Sequence, residues 1–423
     1  MRIHHLLLLT TCLAATAGAA SGPAENTGTL SLRQAVALAL VRHPELAVFS
    51  KDMRIVDAQK LQAGLKPNPT VDFTLEDAPG SGDYTSFDRA QNTLQLSQLF
   101  ELGDKRATRV RAVEAGRASV QMEYETKRLQ IAASTVAAFV EVLAAQHRLA
   151  QAKETVTLAE KFAPAAQKRV DAGRASPVEV TRANVVTASA KVAVSNYEGQ
   201  LAVARKRLAT LWGSTKPRFS SAVGDLNHVR DLPTLATATN RLDHNPLVAR
   251  GDAEIASREA KLAVEQSKRR PDLTASVGIR HFNESKDAAA VLGFSLPWPL
   301  FNRNEGNIAE AEAQIEKARD QRIATKAQLG SALAIAYEEM TSARKNIKTY
   351  RESVLPQVDE AYKLTNEGYE LGRLGYLEVL DAQRTLFDAR QQQLESLIQY
   401  HKAVAEIEGI TGQSLPASSN SSK

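Results

Sequence analysis

Two stretches of the chain, VDAGRASPVEVTRAN at Val170–Asn184 and YELGRLGYLEVLDAQ at Tyr369–Gln383, carry the same residue at five matched positions. The pairs are Gly173/Gly372, Arg174/Arg373, Glu179/Glu378, Val180/Val379 and Ala183/Ala382. Five matches in an Ala-rich chain can arise by chance, but the spacing of the punctuating residues does not. Pro44 to Pro69 spans 25 residues, as does Pro246 to Pro271. Pro69 to Phe100 is 31 against 30 for Pro271 to Phe301, and Phe100 to Gly173 is 73 against 71 for Phe301 to Gly372. Gly173 to Gly213 and Gly372 to Gly412 are both 40. Four intervals held to within two residues indicate a duplicated chain, with repeats at 21–219 and 233–413 joined by a polar connector at 220–232. A Ser-rich tail, 414–423, is expected to be disordered.

Within each repeat the same order of elements is legible. Ser31 is an N-cap for a helix that His43-Pro44 breaks and Pro67-Asn68-Pro69 ends. Two alternating runs follow, Thr70–Glu76 and Thr93–Leu99, separated by a turn-rich loop, which together predict a β-hairpin. Val71, Phe73 and Leu75 share one face of the first run, and Leu94, Leu96 and Leu99 are grouped on one face of the second. A continuous helix is then expected over 104–170, about 100 Å long at 1.5 Å per residue. Its seam runs through Leu129, Ala133, Val136, Val140, Leu143, His147 and Ala150, and Pro164 is expected to kink it. Gly173 turns the chain into a return helix over Pro177–Trp212. The second repeat offers strands at Pro271–His281 and Ala289–Leu296. Its long helix is expected over 303–371, with a seam at Leu329, Leu333, Ala336, Met340, Ala343, Ile347, Tyr350 and Val354, before the turn Gly372–Gly375.

Composition supports helices packed on helices: 423 residues, 43% hydrophobic and 24% charged, but only 5% aromatic. The net charge of +5 is spread along the helical runs, with no Lys/Arg block interleaved with aromatics, which argues against nucleic-acid binding. Arg2, the apolar runs 6–9 and 13–17, and the small residues Ala17, Ala19 and Ala20 form the pattern of a cleaved secretory signal at 1–20. Cleavage removes Cys12, the only cysteine. Leu9-Thr10-Thr11 before it is not a lipoprotein tripeptide, so no acyl anchor is expected. No later stretch reaches about 20 apolar residues, so entry into a membrane is expected through strands.

The strands have apolar faces opposite faces of Thr, Ser, Gln, Asp and Arg280, an alternation shared by a soluble amphipathic sheet and by the lipid-out, lumen-in wall of a membrane barrel; the export signal and the aromatics at the strand ends favour the barrel. Phe100, Trp298 and Phe301 are candidate interfacial aromatics. Four strands cannot close a barrel, and an open edge is forbidden in lipid, so several chains must share one barrel; three would supply twelve strands. The fold class expected is therefore α+β: a β-barrel shared between several chains, with long helices extending it as a tube.

With this organisation the chain resembles the TolC-like outer membrane efflux family over nearly all of its mature length. Leu96–Arg109, LSQLFELGDKRATR, is similar to the QxxELGGKR pattern of the cobalt-zinc-cadmium branch, although Asp104 replaces a Gly and Leu99 a Pro. The resemblance implies a homotrimer whose twelve-strand outer-membrane β-barrel is continuous with a long periplasmic α-helical barrel, the exit duct of a tripartite system with a periplasmic membrane-fusion adaptor and an inner-membrane RND pump, exporting heavy-metal cations such as cobalt, zinc or cadmium. A duct for drugs, organic solutes or secreted polypeptides, and a periplasmic helical adaptor or scaffold, are the rival readings. The resemblance also implies that the tips, Gly173, Arg174, Ala175, Ser176 and Gly372, Arg373, Leu374, Gly375, dock the adaptor.

The acids beside the tips, Asp171, Glu179, Glu367, Glu370, Glu378 and Asp381, form either a solvated face or a charged ring at the tunnel entrance. Repeated threefold, a ring would concentrate cations. No catalytic constellation is present: there is no GxSxG, HExxH, phosphate-binding Gly loop or cysteine nucleophile in the mature chain, so an enzyme is not expected. His43, His147, His228, His244, His281 and His401 include no i, i+3 or i+4 pair, and Met53, Met122 and Met340 are isolated, so no resident metal or cofactor site is expected.

Overall fold

Why the chain enters its first helix where it does is visible in one cap. The Ser31 side chain accepts the Gln34 amide while the Gln34 side chain accepts from the Ser31 amide, so two otherwise orphaned donors are satisfied together. The computed structural model describes residues 27–230 and 234–412, so the expected leader at 1–20 and the tail at 414–423 lie outside the described residues.

Helix α1 (Leu32–Arg42) stops at His43, and α2 (Pro44–Ala63) starts with Pro at its first position, where the missing N–H costs nothing. Strands β2 (Thr70–Glu76) and β3 (Gln91–Phe100) form the first hairpin. Helix α3 then runs without interruption over Lys105–Asp171, 67 residues or about 100 Å, and α4 (Pro177–Thr210) returns along it. In the second half, α6 (Pro246–Ser267), β5 (Leu273–Phe282) and β6 (Ala288–Ser295) lead into α7 (Glu305–Thr349). After α7 come a π-turn at Tyr350–Val354, α8 (Leu355–Glu370) and α9 (Tyr376–Thr411).

The four long strands make one antiparallel sheet in the order β2-β3-β5-β6, which leaves β2 and β6 as open edges. Val71, Phe73, Leu94, Leu96, Val277, Ile279, Leu292 and Phe294 all point outward on one face. On the other face Thr93 and Ser97 are buried, and Arg280 reaches across three strands to Thr93 Oγ1 (2.9 Å), Gln91 Oε1 (3.2 Å) and Glu76 Oε2 (3.0 Å). Leu99 corrects the sequence grouping. Its unbroken pairing with Thr274 puts it with Thr93, Gln95 and Ser97 by the period of two, and Phe100 continues the apolar face instead.

Three further departures have physical causes. The seam of α3 does not hold at His147 and Ala150, which are exposed, while Phe139, Val142, Ala144 and Ala145 are buried. The helix meets α1, α4, α6 and α9, so it is covered on several sides rather than along one stripe. For the same reason one 18-residue window of α3 reaches a mean hydropathy of 1.5, against the expectation that no apolar stretch of spanning length follows the leader; half of that window is packed inside the chain. The second long helix is interrupted by the π-turn, just before Pro356, which has no N–H to offer the carbonyl one turn back.

The described part of the connector contains a strand. Ser221–Val223 forms β4, which pairs in parallel with β1 (Thr29–Ser31), and α5 (Leu235–Thr239) follows. Gln146 brackets Ala222 with both ends of its amide, donating to the carbonyl at 2.9 Å and accepting the N–H at 2.7 Å. Leu30, Ala222 and Phe219 pack with Phe139, Leu208 and Trp212 in the larger core, while Leu333, Met340, Tyr400 and Ile407 form a second.

Candidate functional site

The two Gly turns lie at the end of the helices remote from the sheet, and each closes its helix in the same way. Gly173 and Gly372 have φ of +70° and +73°, the left-handed region where a Cβ is costly. Gly173 N–H donates to Val170 O (2.9 Å) and Arg174 N–H to Arg169 O (2.8 Å). Gly372 N–H donates to Tyr369 O (3.0 Å) and Arg373 N–H to Gly368 O (2.8 Å). These are two Schellman caps, satisfying the last carbonyls of α3 and α8. Arg174 and Arg373 therefore occupy their positions through backbone bonds, and their side chains are exposed. Ser176 caps α4 by accepting the Val178 amide, whereas Gly375 opens α9 without a side-chain cap and the Glu378 carboxylate folds back over it.

The tips differ four residues before each turn glycine, where one has Arg169 and the other Gly368. Arg169 crosses to the second hairpin. Its guanidinium lies 4.3 Å from the centre of the Tyr369 ring and donates to the carbonyls of Tyr369 (3.2 Å) and Leu374 (3.4 Å). Gly368 leaves room for the Leu374 side chain, which a Cβ there would meet at 2.7 Å. Phe162, Ala183, Tyr369, Tyr376 and Val379 make a small core between the hairpins, with the three rings at centroid distances of 5.8–6.1 Å. Sequence reading missed Arg169; the contrast with Gly368 in register was the available signal.

This core contains unspent polarity. The Tyr369 and Tyr376 hydroxyls, Glu179 Oε2 and Gln383 Nε2 are buried without a hydrogen-bond partner. Burial pushes the Tyr376 phenol up to about 12, and neighbouring Tyr369 and Glu179 act in the same direction. Tyr369 is raised by burial too, with Arg169 opposing.

Of the six candidate acids, Glu179 is thus only half-exposed and turns toward the tyrosines. Asp171, Glu367, Glu370, Glu378 and Asp381 are exposed. Asp171 accepts from Gln167 (2.8 Å) and Glu370 from Asn366 (3.1 Å), each on its own helix. Among the described residues no group of three or more His, Cys, Asp or Glu side chains is placed to hold a metal ion.

The model of the outer membrane efflux protein family matches this chain twice, at residues 35–214 and 238–413. The chain belongs to the outer membrane efflux protein family. It is 35% identical over 391 residues to the cobalt-zinc-cadmium resistance protein CzcC of Cupriavidus metallidurans, covering 92% of each chain. To the nickel-cobalt-cadmium resistance protein NccC of Alcaligenes xylosoxydans xylosoxydans it is 26% identical over 290 residues, 68% of this chain and 64% of that one. Its fold is that of CusC, with a TM-score of 0.75 at 17% identity over 90% of this chain and 91% of CusC. The TolC-like architecture expected from the sequence is therefore the architecture of the family: strands at one end and long helical hairpins at the other.

Proposed function

We propose that three copies of this chain form an outer-membrane exit duct for heavy-metal cations. The observation that carries the reading is the sheet: one face is apolar and exposed, the other polar, and β2 and β6 are both unpaired. In lipid an unpaired edge is untenable, so β6 of one copy must meet β2 of the next until the ring closes. Twelve strands from three chains form such a ring, and helices of about 100 Å continue it into the periplasm. The names of CzcC and NccC, both metal resistance proteins, support a divalent-cation cargo such as cobalt, zinc or cadmium.

In this reading residues 1–20 direct export and are removed, and 21–219 and 233–413 are the two repeats of each protomer. The duct is passive. An inner-membrane RND pump supplies the energy and a periplasmic adaptor docks on the tips, 173–176 and 372–375. Asp171, Glu367, Glu370, Glu378 and Asp381, repeated threefold, hold cations at the entrance, while Arg169 clasps the two hairpins of one protomer together at rest. Engagement of adaptor and pump opens that end.

A deletion strain challenged with metal salts and with organic toxicants tests the cargo. Loss of tolerance to cobalt, zinc and cadmium alone is expected; sensitivity confined to organic compounds would reject it. Charge-reversing Arg174 and Arg373 together is expected to abolish adaptor cross-linking while leaving the assembled particle intact. Retained cross-linking would remove the tips from the docking site.

A further inference from the structure

Where each strand hairpin hands over to its long helix, the two repeats treat their cations differently. At the first junction two of them are neutralised inside the chain: Lys105 lies 2.7 Å from Asp272, and Arg109 donates to Glu101 at 3.0 Å, while Arg106 is exposed. Asp272 also accepts the Leu102 amide at 3.1 Å. The second junction has Arg269 and Arg303, both exposed, and neither makes an ion pair or side-chain hydrogen bond among the described residues. These two guanidiniums line one open pocket with Leu296, Pro297, Trp298, Pro299 and Leu300.

The apolar part of that pocket faces outward. Trp298 is 77% exposed and Phe301 96%, and they continue the apolar strip of β6, through Phe294 and Leu296, toward the helices. Pro297 and Pro299, flanking Trp298, fix their own φ angles and remove two amide donors, so the loop can lie against an apolar medium with fewer unsatisfied groups. A surface with aromatics on the strand side and unpaired cations beside them has the chemistry of a lipid headgroup contact: the rings sit at the interface and the guanidiniums reach phosphate.

We propose that the Pro297–Leu300 loop, with Arg269 and Arg303, is a binding site for an anionic phospholipid of the periplasm-facing leaflet. This rests on the outer-membrane reading above. The leaflet follows from the topology, because α7 begins ten residues after β6 ends and the helices mark the periplasmic side. The occupant follows from charge: two unpaired cations complement a headgroup with net negative charge better than a zwitterion.

Trp298 and Trp212 are the only tryptophans, and Trp212 is buried, so Trp298 reports selectively. The full protein would be reconstituted in phosphatidylcholine vesicles containing brominated phosphatidylglycerol or, at equal fraction, brominated phosphatidylcholine. The expected result is quenching of Trp298 by both, with about five-fold stronger apparent association for phosphatidylglycerol. That preference should disappear in R269Q/R303Q with contact quenching retained. Equal quenching by the two lipids, or a preference unchanged in R269Q/R303Q, would overturn the headgroup site. Quenching by aqueous iodide alone, or by no agent, would also overturn it, placing the loop in water or under the neighbouring protomer. A Phe294→Trp variant in a Trp298→Phe background separates the two layers of inference. If Trp at 294 is quenched by brominated lipid and Trp298 is not, only the site fails; if neither is quenched, the membrane reading fails with it.

Discussion

Arg169 over Tyr369, and Tyr376 packed beside that ring, show what single residues contribute at the tips. Its cation–π contact and two carbonyl bonds together should stabilise the pair of hairpins by about 1–3 kcal/mol. Arg169→Ala should lower the unfolding temperature of the reconstituted protein, and Arg169→Lys, a point charge without the planar fork, should recover only part of the loss. Tyr376→Phe should behave differently. Its hydroxyl is buried with no partner, so removing it should leave stability at neutral pH unchanged or raise it by up to ~1 kcal/mol. The alkaline limb carries the sign. Tyr376 ionises near 10 when unfolded and near 12 when folded, so its contribution is complete below pH 10 and is lost as pH rises toward 12. Thermal unfolding of wild type and Tyr376→Phe between pH 9 and 12 should show the steeper decline in wild type only. At this scale the sequence was legible in part. Gly173, Gly372 and Ser176 announce their backbone roles through residue type, whereas Arg169 is one of many helical arginines until the fold places Tyr369 beneath it.

Among the elements, the strands give the sharpest contrast. Phe294 and Ser295 are adjacent in β6 and face opposite sides of the sheet. Phe294→Arg should cost about 1 kcal/mol if its face meets lipid close to the headgroups, while Ser295→Arg, on the face read as lining the lumen, should be tolerated. Folding yields of the two variants in vesicles check this, and equal yields would contradict the assignment of faces. In the helices, Pro356→Ala restores the missing donor beside the π-turn and should raise the unfolding temperature. The long elements were readable because period two and period 3.6 persist over many residues. Leu99 was misplaced because a leucine is apolar on either face; only counting in twos from Leu94 puts it with Ser97. The β1–β4 pair escaped because three-residue strands carry no period, and their stability comes from Gln146 and the core around Phe139.

For the whole molecule, duplication, strand chemistry and helix length converge on one assembly. Each protomer offers a four-stranded sheet with two open edges, a core near the β1–β4 pair, and two hairpin tips at the far end. In the proposed trimer six tips come together, and a ring of the exposed acids beside them would form only then. Neutralising Asp171, Glu367, Glu370, Glu378 and Asp381 to their amides should reduce cation-over-anion selectivity in a planar bilayer. The sequence could not say which acids are free, because Glu179 is distinguished from Glu378 only by the tyrosines that fold against it. Everything above the protomer depends on edge pairing between copies. The mass of the detergent-extracted particle, measured by native mass spectrometry or light scattering with detergent subtracted, addresses that dependence without any substrate. A particle of three chains is expected; a single chain that stays folded, with β2 and β6 unpaired, would contradict the shared barrel.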